Sequence, residues 1–174
     1  QERNIALRDA LIFRGANREL YQNDANDENH FENYEGLSTF TYTLLCSGSC
    51  EEFRAHLFEA LDRIYAMQSY ARSYGFIHGA LYATLLHEKG FDFKMISTPN
   101  YDLGLAARDI YGIELPEFCR DVAGSIAFNY DISGINKEEE KRLADIREGL
   151  NKQVSLFTEK PVVFFQLERD RKST

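Results

Sequence analysis

The stretch from Ser49 to Gly90 places the strongest constraint on the fold, because it carries the longest helical periodicity in the chain. Apolar residues recur every three or four positions in its first half, as in an amphipathic helix. These residues are Phe53, Leu57, Ala60, Leu61, Ile64 and Met67. Its second half, 76–89, is apolar around most of its circumference, which is typical of a buried helix. We therefore predict a helical hairpin over residues 49–90, with the second helix at the centre of the fold.

Local signals mark the start, middle and end of this hairpin. Ser49 followed by Glu52 is a capping-box pattern, in which the serine side chain accepts the backbone N–H of Glu52. Gly75 predicts a break between the two helices. Gly90 suits the position just beyond a helix C-terminus.

The other segments predict a mainly α fold of the α+β class, built as one bundle-like domain over residues 1–174. Further helices are predicted at 1–21, at 101–111, from Pro116 onward and at 137–157. The alternating segment 91–96 and the apolar segment 162–167 are expected to pair in a small two- or three-stranded sheet. Residues 169–174 are expected to form a flexible tail.

The segment Leu37–Cys46 fits two kinds of secondary structure. Phe40, Tyr42 and Leu44 alternate as they would in a strand, whereas the spacing of other apolar residues also fits a helix. Its threonine and aromatic content favours the strand.

The excess of acidic residues bears on the class of partner. The chain has 28 Asp and Glu against 20 Lys and Arg, a net charge of −8. This balance argues against binding duplex DNA or an anionic membrane, because such binding depends on basic surface. It permits a basic protein partner, since complementary charge speeds encounter.

We interpret the chain as an acidic protein-binding module, of the inhibitor or immunity type, that neutralises a basic protein, rather than as an enzyme. The acidic side chains form two stretches, one before the hairpin and one near the C-terminus. The candidate partner-binding residues are Asp24, Asp27, Glu28, Glu32, Glu35, Glu138 and Glu139. The oligomeric state is left open.

One pair of residues suggests catalysis instead. Arg72 and His78 lie in the sequence RSYGFIH at the bend of the hairpin. This spacing resembles the arginine–histidine motif of HEPN-type helical ribonucleases, although Ser73 follows the arginine where that family often has Asn, Asp or His. The resemblance implies metal-independent cleavage of RNA or another phosphodiester, with His78 moving a proton and Arg72 stabilising phosphate charge.

The polar run before the hairpin offers a third hypothesis. Counted from Asp24, oxygen-bearing side chains fall at the ligand positions of a calcium-binding EF-hand loop, which suits a hard cation. The candidate ligands are Asp24, Asn26, Glu28 and Glu35. We predict a surface loop for residues 23–35, because Asn, Asp and Glu dominate it.

The three cysteines, Cys46, Cys50 and Cys119, do not form a disulfide framework, because their number is odd. Reduced thiols favour the cytoplasm. A secreted or periplasmic location is the alternative if Gln1 is a processed N-terminus, and a bridge that involves Cys46 or Cys50 is then the alternative to free thiols. No transmembrane segment or cofactor motif is predicted, and a zinc site would need His56 or His78 besides the cysteines.

Overall fold

The computed structural model divides the chain into two compact units, Gln1–Asp131 and Ile132–Thr174, each of which we describe by itself. The residues that it describes are 1–21, 25–67, 73–161 and 163. The single domain over 1–174 stays a prediction, and the tail 169–174 lies outside the described residues. None of the helices in the described ranges combines the length and apolar character that crossing a membrane requires.

The first unit is built from helices. They are α1 (Glu2–Leu20), α2 (Ala25–Phe31), α3 (Leu37–Cys46), α4 (Cys50–Tyr65), α5 (Tyr74–Glu88), α6 (Leu103–Tyr111) and α7 (Cys119–Ala127). A π-helical segment, Glu32–Gly36, joins α2 to α3, so that 25–46 is one continuous helical run. A 3-10 turn covers Phe93–Met95. The described part of the second unit contains one long helix, α8 (Ile132–Thr158).

The predicted sheet, and with it the α+β class, is wrong. The fold is all-helical, without a strand in the ranges described above. Segment 91–96 forms the 3-10 turn, which Asp92 caps by accepting the Lys94 N–H at 3.0 Å. Its aromatic side chains serve helix packing, as shown by Phe93 stacked on Phe40 of α3 at 5.7 Å. Apart from Val163, segment 162–167 lies outside the described residues.

Two other segments are helical, although the sequence favoured a strand for one and a loop for the other. Leu37–Cys46 is the helix α3, whose Phe40 and Thr43 are buried on one face. The polar run predicted as a loop is α2 and the π segment wherever it is described. In both cases packing and ion pairing outweigh local propensity, which is a weak guide by itself.

The predicted hairpin helices are confirmed as α4 and α5. The Ser49 hydroxyl accepts the Glu52 N–H at 3.1 Å, and the Glu52 carboxylate accepts the Gly48 N–H at 2.7 Å. Helix α5 begins at Tyr74, one residue before the predicted break. After α5 the chain turns at Gly90, whose φ of +71° favours glycine.

Helix α5 occupies the centre of the first unit. One of its faces packs with α1 and α6 through Tyr82 and Leu86. Another packs with α3 and α4 through Ala80 and Ala83. A separate cluster, centred on Ile12, joins α1 to α7. The apolar circumference of α5 thus reflects burial on several sides.

Close approach of backbones fixes α5 against the π segment. Gly79 faces Gly36 and the carbonyl oxygen of Glu32, and a Cβ at Gly79 would overlap both. Gly75, one turn earlier, lies against Phe31 in the same way. Because glycine has no side chain, the backbones of α5 and the π segment can lie in direct contact at Gly79 and Gly36. This close packing buries Glu32 completely.

Candidate functional site

A cavity of about 700 Å³ lies between α1, α4 and α5. The α1 wall runs from Arg3 to Asn17, roughly 20 Å at 1.5 Å per residue. A concavity of this volume falls within the range of small-molecule sites in proteins. We refer to it as the α1–α4 cavity.

Most of the lining of the α1–α4 cavity is apolar. Phe13 of α1, Phe58 of α4 and Leu81 of α5 line it, with exposed fractions of 37 %, 66 % and 38 %. Leu7 and Leu57, which are buried, extend the same surface into the core. The cavity therefore presents solvent-accessible apolar side chains from three helices, which is the lining expected for an apolar ligand.

The polar side chains of α5 that line the same cavity include those of His78 and Tyr82. His78 and Tyr82 are four residues apart, so they lie on one side of the helix. Neither the His78 ring nor the Tyr82 hydroxyl has a hydrogen-bond partner among the described residues. Both groups are thus available to a ligand as donors or acceptors.

Both groups are neutral near pH 7. The surrounding protein desolvates His78 and so lowers its pKa. Burial likewise raises the pKa of Tyr82, whose ring lies 5.3 Å beneath the Arg14 guanidinium. A neutral imidazole and a neutral phenol can each donate and accept a hydrogen bond without requiring a charged ligand.

The cavity adjoins a group of buried and half-buried charges that we call the ionic cluster. Its members come from α1, α2, the π segment and the residue that precedes α6. They are Arg14, Arg18, Glu28, Glu32 and Asp102. Three carboxylates therefore share two guanidinium groups. Arg14 and Glu28 also line the cavity.

Arg14 is the hub of the ionic cluster. It donates to Asp102 Oδ1 at 2.7 Å and to Glu32 Oε2 at 2.5 Å. Arg18 donates to Asp102 Oδ2 at 2.6 Å and also to Glu28 Oε2. Both arginines donate to the amide oxygen of Asn29. Because its guanidinium is occupied in this way, Arg14 is a structural cation that stabilises buried carboxylates.

Glu32 differs from the other carboxylates of the cluster. It has no exposed surface, and its Oε1 atom has no hydrogen-bond partner among the described residues. Burial raises the pKa of Glu32 to about 7, although Arg14 acts in the opposite direction. Protonation of Glu32 would leave two carboxylates for two guanidinium groups, so the proton balances the cluster.

Asp102 is held in its ionised form. Burial alone would raise its pKa, but the charge of Arg14 and hydrogen bonds from Arg14, Arg18 and the Leu105 N–H lower it to about 2. Its Oδ1 atom also caps α6 by accepting the Leu105 N–H at 2.8 Å. Asp102 therefore ties the start of α6 to α1.

The outer part of the cavity carries two more arginines. Arg3 pairs with Glu88 through its two terminal guanidinium nitrogens, Nη1 at 2.7 Å and Nη2 at 3.0 Å from the carboxylate oxygens. Arg54 of α4 is exposed and makes no ion pair within the described ranges. Among the described residues, Arg54 thus lines the cavity without a compensating carboxylate.

The acidic residues predicted to bind a partner fall into two environments. Glu28 and Glu32 are buried in the ionic cluster, where arginines already neutralise them. Asp27 is exposed and Glu35 is half-buried. Glu138 and Glu139 are exposed on α8 of the second unit, and Asp24 lies outside the described residues. Partner binding by the accessible members stays a prediction.

The segment predicted to bind calcium is helical where it is described. Asn26 is exposed, whereas Glu28 points into the ionic cluster. Across the described ranges, no three His, Cys, Asp or Glu side chains are grouped so that they could hold a metal ion. Because Asp24 lies outside those ranges, the calcium hypothesis stays a prediction without support from the placement of the other ligands.

Of the pair that resembles the ribonuclease motif, His78 lines the α1–α4 cavity, and Arg72 lies outside the described residues. Phosphodiester cleavage by this pair therefore stays a prediction.

The cysteines are all free thiols. Cys46 and Cys50 are exposed, and Cys119 is buried against α1. His56, one of the histidines considered for a zinc site, forms a hydrogen bond with Ser47 at 3.1 Å.

Sequence reasoning missed the ionic cluster, although the chain carries a signal for it. Arg14 and Arg18 are four residues apart, and so are Glu28 and Glu32. Matched pairs of opposite charge at helical spacing on successive segments indicate two helical faces that can neutralise each other. Asp102, more than 80 residues from either arginine, carries no comparable signal.

Comparison with known proteins returns no relative: no family model, no curated protein and no solved structure matches this chain significantly.

Proposed function

We propose that the first unit is a binding module for a small, mainly apolar molecule that carries a hydrogen-bonding group. The observation that carries this proposal is the α1–α4 cavity, where accessible Phe13, Phe58 and Leu81 form the lining together with His78 and Tyr82, whose polar groups have no hydrogen-bond partner among the described residues. Apolar walls supply affinity through burial, and a few convergent polar groups supply orientation.

The polar group of the ligand contacts His78 and Tyr82, and the apolar body lies along Phe58 and Leu81. Arg54 favours an anionic end on the ligand, because its charge is not compensated within the described residues. An aromatic sulfonate such as anilinonaphthalene sulfonate combines both properties and reports its own burial by fluorescence.

The test is a titration of this probe into the folded protein. We expect saturable binding of one probe per chain. Leu81→Glu, which places a charge in the cavity wall, should weaken binding at least tenfold, or about 1.4 kcal/mol. The matched control is Leu45→Glu, because Leu45 is 79 % exposed and lies outside the cavity. Equal loss in both variants would overturn the proposal.

A second pair of variants addresses the polar groups. Tyr82→Phe keeps the ring beneath Arg14 and removes the hydroxyl alone. If the ligand bonds to this hydroxyl, affinity should fall by roughly fivefold, about 1 kcal/mol. His78→Ala should reduce affinity by a similar factor. Unchanged affinity in both variants would show that the probe contacts only the apolar wall.

A basic protein partner remains the second proposal. It is supported by the net charge of −8 and by the exposed carboxylates of Asp27 and Glu138. This proposal retains the cytoplasm as the location, since exposed free Cys46 and Cys50 suit a reducing compartment. Binding of a basic protein should weaken as salt is raised, and affinity that does not change with salt would refute the electrostatic basis.

A further inference from the structure

The α8 helix carries an apolar stripe on one side, which is interrupted by Asn136, Glu139 and Gln153. It spans 27 residues, and none of its side chains is buried. Leu143, Leu150 and Phe157 are spaced seven residues apart and are 48 %, 55 % and 70 % exposed. Ile132 and Ile146 lie on the same side of the helix, at the complementary positions of a seven-residue repeat. Such a stripe is typical of a helix that pairs with another helix.

We propose that α8 pairs in antiparallel orientation with α8 of a second copy of this chain. The repeat places Leu143, Leu150 and Phe157 at its first core position and Ile132 and Ile146 at its second. In an antiparallel pair, each first position faces a second position of the other helix. Leu143 then faces Ile146 of the second copy, and Phe157 faces Ile132. One register satisfies both contacts and overlaps the helices over nearly all of Ile132–Thr158.

The remaining core positions are compatible with the same register. Asn136 faces Gln153 of the second copy, so two amide side chains can hydrogen-bond to each other. Leu150 faces Glu139, whose carboxylate is already paired with Arg142 on its own helix at 3.1 Å. Polar residues at a few core positions fix register and partner orientation at some cost in stability.

Charges beside the stripe select the antiparallel orientation. Glu140 and Arg147 occupy equivalent flanking positions one heptad apart. In the antiparallel register, Glu140 of each copy lies beside Arg147 of the other, which gives two ion pairs by symmetry. Neither residue has an ion pair within the described ranges. In a parallel pair these two positions would face residues such as Ile135 and Arg142 instead, so the complementarity would be lost.

The experiment measures the mass of the full chain by light scattering at rising protein concentration. We expect a dimer. Glu140→Arg should weaken it roughly tenfold, because two attractive contacts become repulsive. Arg147→Glu should do the same. The double variant Glu140→Arg with Arg147→Glu restores opposite charges across the interface and should recover dimerisation to near the original affinity.

Circular dichroism of each variant is the control for folding, since both substitutions are at exposed helical positions. Glu138→Arg is a matched charge reversal outside the stripe, because Glu138 is exposed and has no ion pair within the described ranges, and it should leave the dimer intact. A monomer at all concentrations would overturn the proposal and would point to a different protein or another segment as the occupant. A dimer whose affinity is unchanged by either Glu140→Arg or Arg147→Glu would also overturn the proposal, since another face would then form the contact.

Discussion

Replacing Glu32 with glutamine should make the protein more stable at neutral and higher pH. Glutamine has the shape of a protonated glutamate and carries no charge. In the variant, Arg14 and Arg18 would share the two carboxylates of Glu28 and Asp102, so the charges of the ionic cluster would balance. The substitution therefore tests whether the ionised form of Glu32 weakens the folded state.

The magnitude follows from the pKa of Glu32. It is about 7 in the folded protein against an ordinary value of 4.5, and each pKa unit corresponds to about 1.4 kcal/mol. The folded state holds this proton more tightly than the unfolded state. The stabilisation that protonated Glu32 contributes is therefore fully present below pH 4.5. As pH rises through 7 the free energy of unfolding falls by about 3 kcal/mol.

Asp102 acts in the opposite direction at lower pH. Because its pKa is about 2 instead of 3.8, its contribution to stability is present above 3.8 and is lost as pH falls toward 2. From these two groups we expect the free energy of unfolding to be highest near pH 4 to 5. Glu32→Gln should remove the fall in the free energy of unfolding above this maximum and leave the fall below it unchanged.

The assay is urea unfolding followed by circular dichroism at pH values from about 4.5 to 8. Glu32→Gln should match the original protein near pH 4.5 and exceed it by up to about 3 kcal/mol at pH 8. Glu59→Gln is the matched control, because Glu59 is exposed on α4.

A complementary variant, Arg14→Met, leaves three carboxylates for one arginine and should lower the free energy of unfolding by about 3 to 5 kcal/mol.

A different result would refute the reasoning. If Glu32→Gln lowered stability by several kcal/mol at pH 8, then the charged pair with Arg14 would outweigh the burial of the carboxylate. If the pH dependence between 4.5 and 7 kept its slope in the variant, then another group would carry the proton.

Two further predictions concern backbone packing and capping. Gly79→Ala should destabilise the first unit by about 3 kcal/mol, because the new Cβ overlaps the Glu32 carbonyl and backbone cannot rotate away. Gly124→Ala is its control in another helix and should stabilise by about 0.5 to 1 kcal/mol, since nothing lies within 4 Å of the added atom. Ser49→Ala removes the cap on the Glu52 N–H and should cost about 1 kcal/mol. Thermal or urea unfolding measures all three, and a Gly79→Ala protein as stable as Gly124→Ala would contradict the packing argument.

The parts of the fold that the sequence predicted correctly have local causes. Helix α4 is determined by the Ser49 cap and by its own apolar stripe. Helix α6 ends at Tyr111 because Gly112, which follows it, adopts a φ of +63°. In each case the residues that determine the structure lie within a few positions of the element itself. Periodicity and capping are therefore sufficient to place these helices.

The parts that it predicted wrongly depend on distant contacts. The polar run is helical because Arg14 and Arg18 of α1 neutralise carboxylates that would otherwise favour solvent. Segment 91–96 has the alternation of a strand, but Phe93 packs on Phe40, more than 50 residues earlier, and the segment has no strand partner within the described ranges. Such contacts leave no periodic signal in the sequence.

The sequence singled out one residue that lines the α1–α4 cavity, His78. It was predicted as half of a catalytic pair with Arg72, and that role stays a prediction. Tyr82, Phe13 and Phe58 were not singled out, because an apolar residue of a helix stripe looks the same in sequence whether it contacts the core or faces a cavity. Whether α1 and α4 leave space between them is a property of the assembled helices.

The glycine contact between α5 and the π segment also determines how the cavity can adapt. Where Gly79 meets the backbone of Gly36, there are no side-chain rotamers to rearrange, and a small displacement produces a direct overlap. The wall formed by α5 is therefore the rigid one. Under the proposed function, a ligand of a different width is accommodated by Phe58 of α4, which is 66 % exposed, because Phe13 of α1 packs edge-on against Tyr130 at 5.8 Å. Selectivity among the proposed ligands should thus depend on the Phe58 rotamer opposite the wall formed by α5.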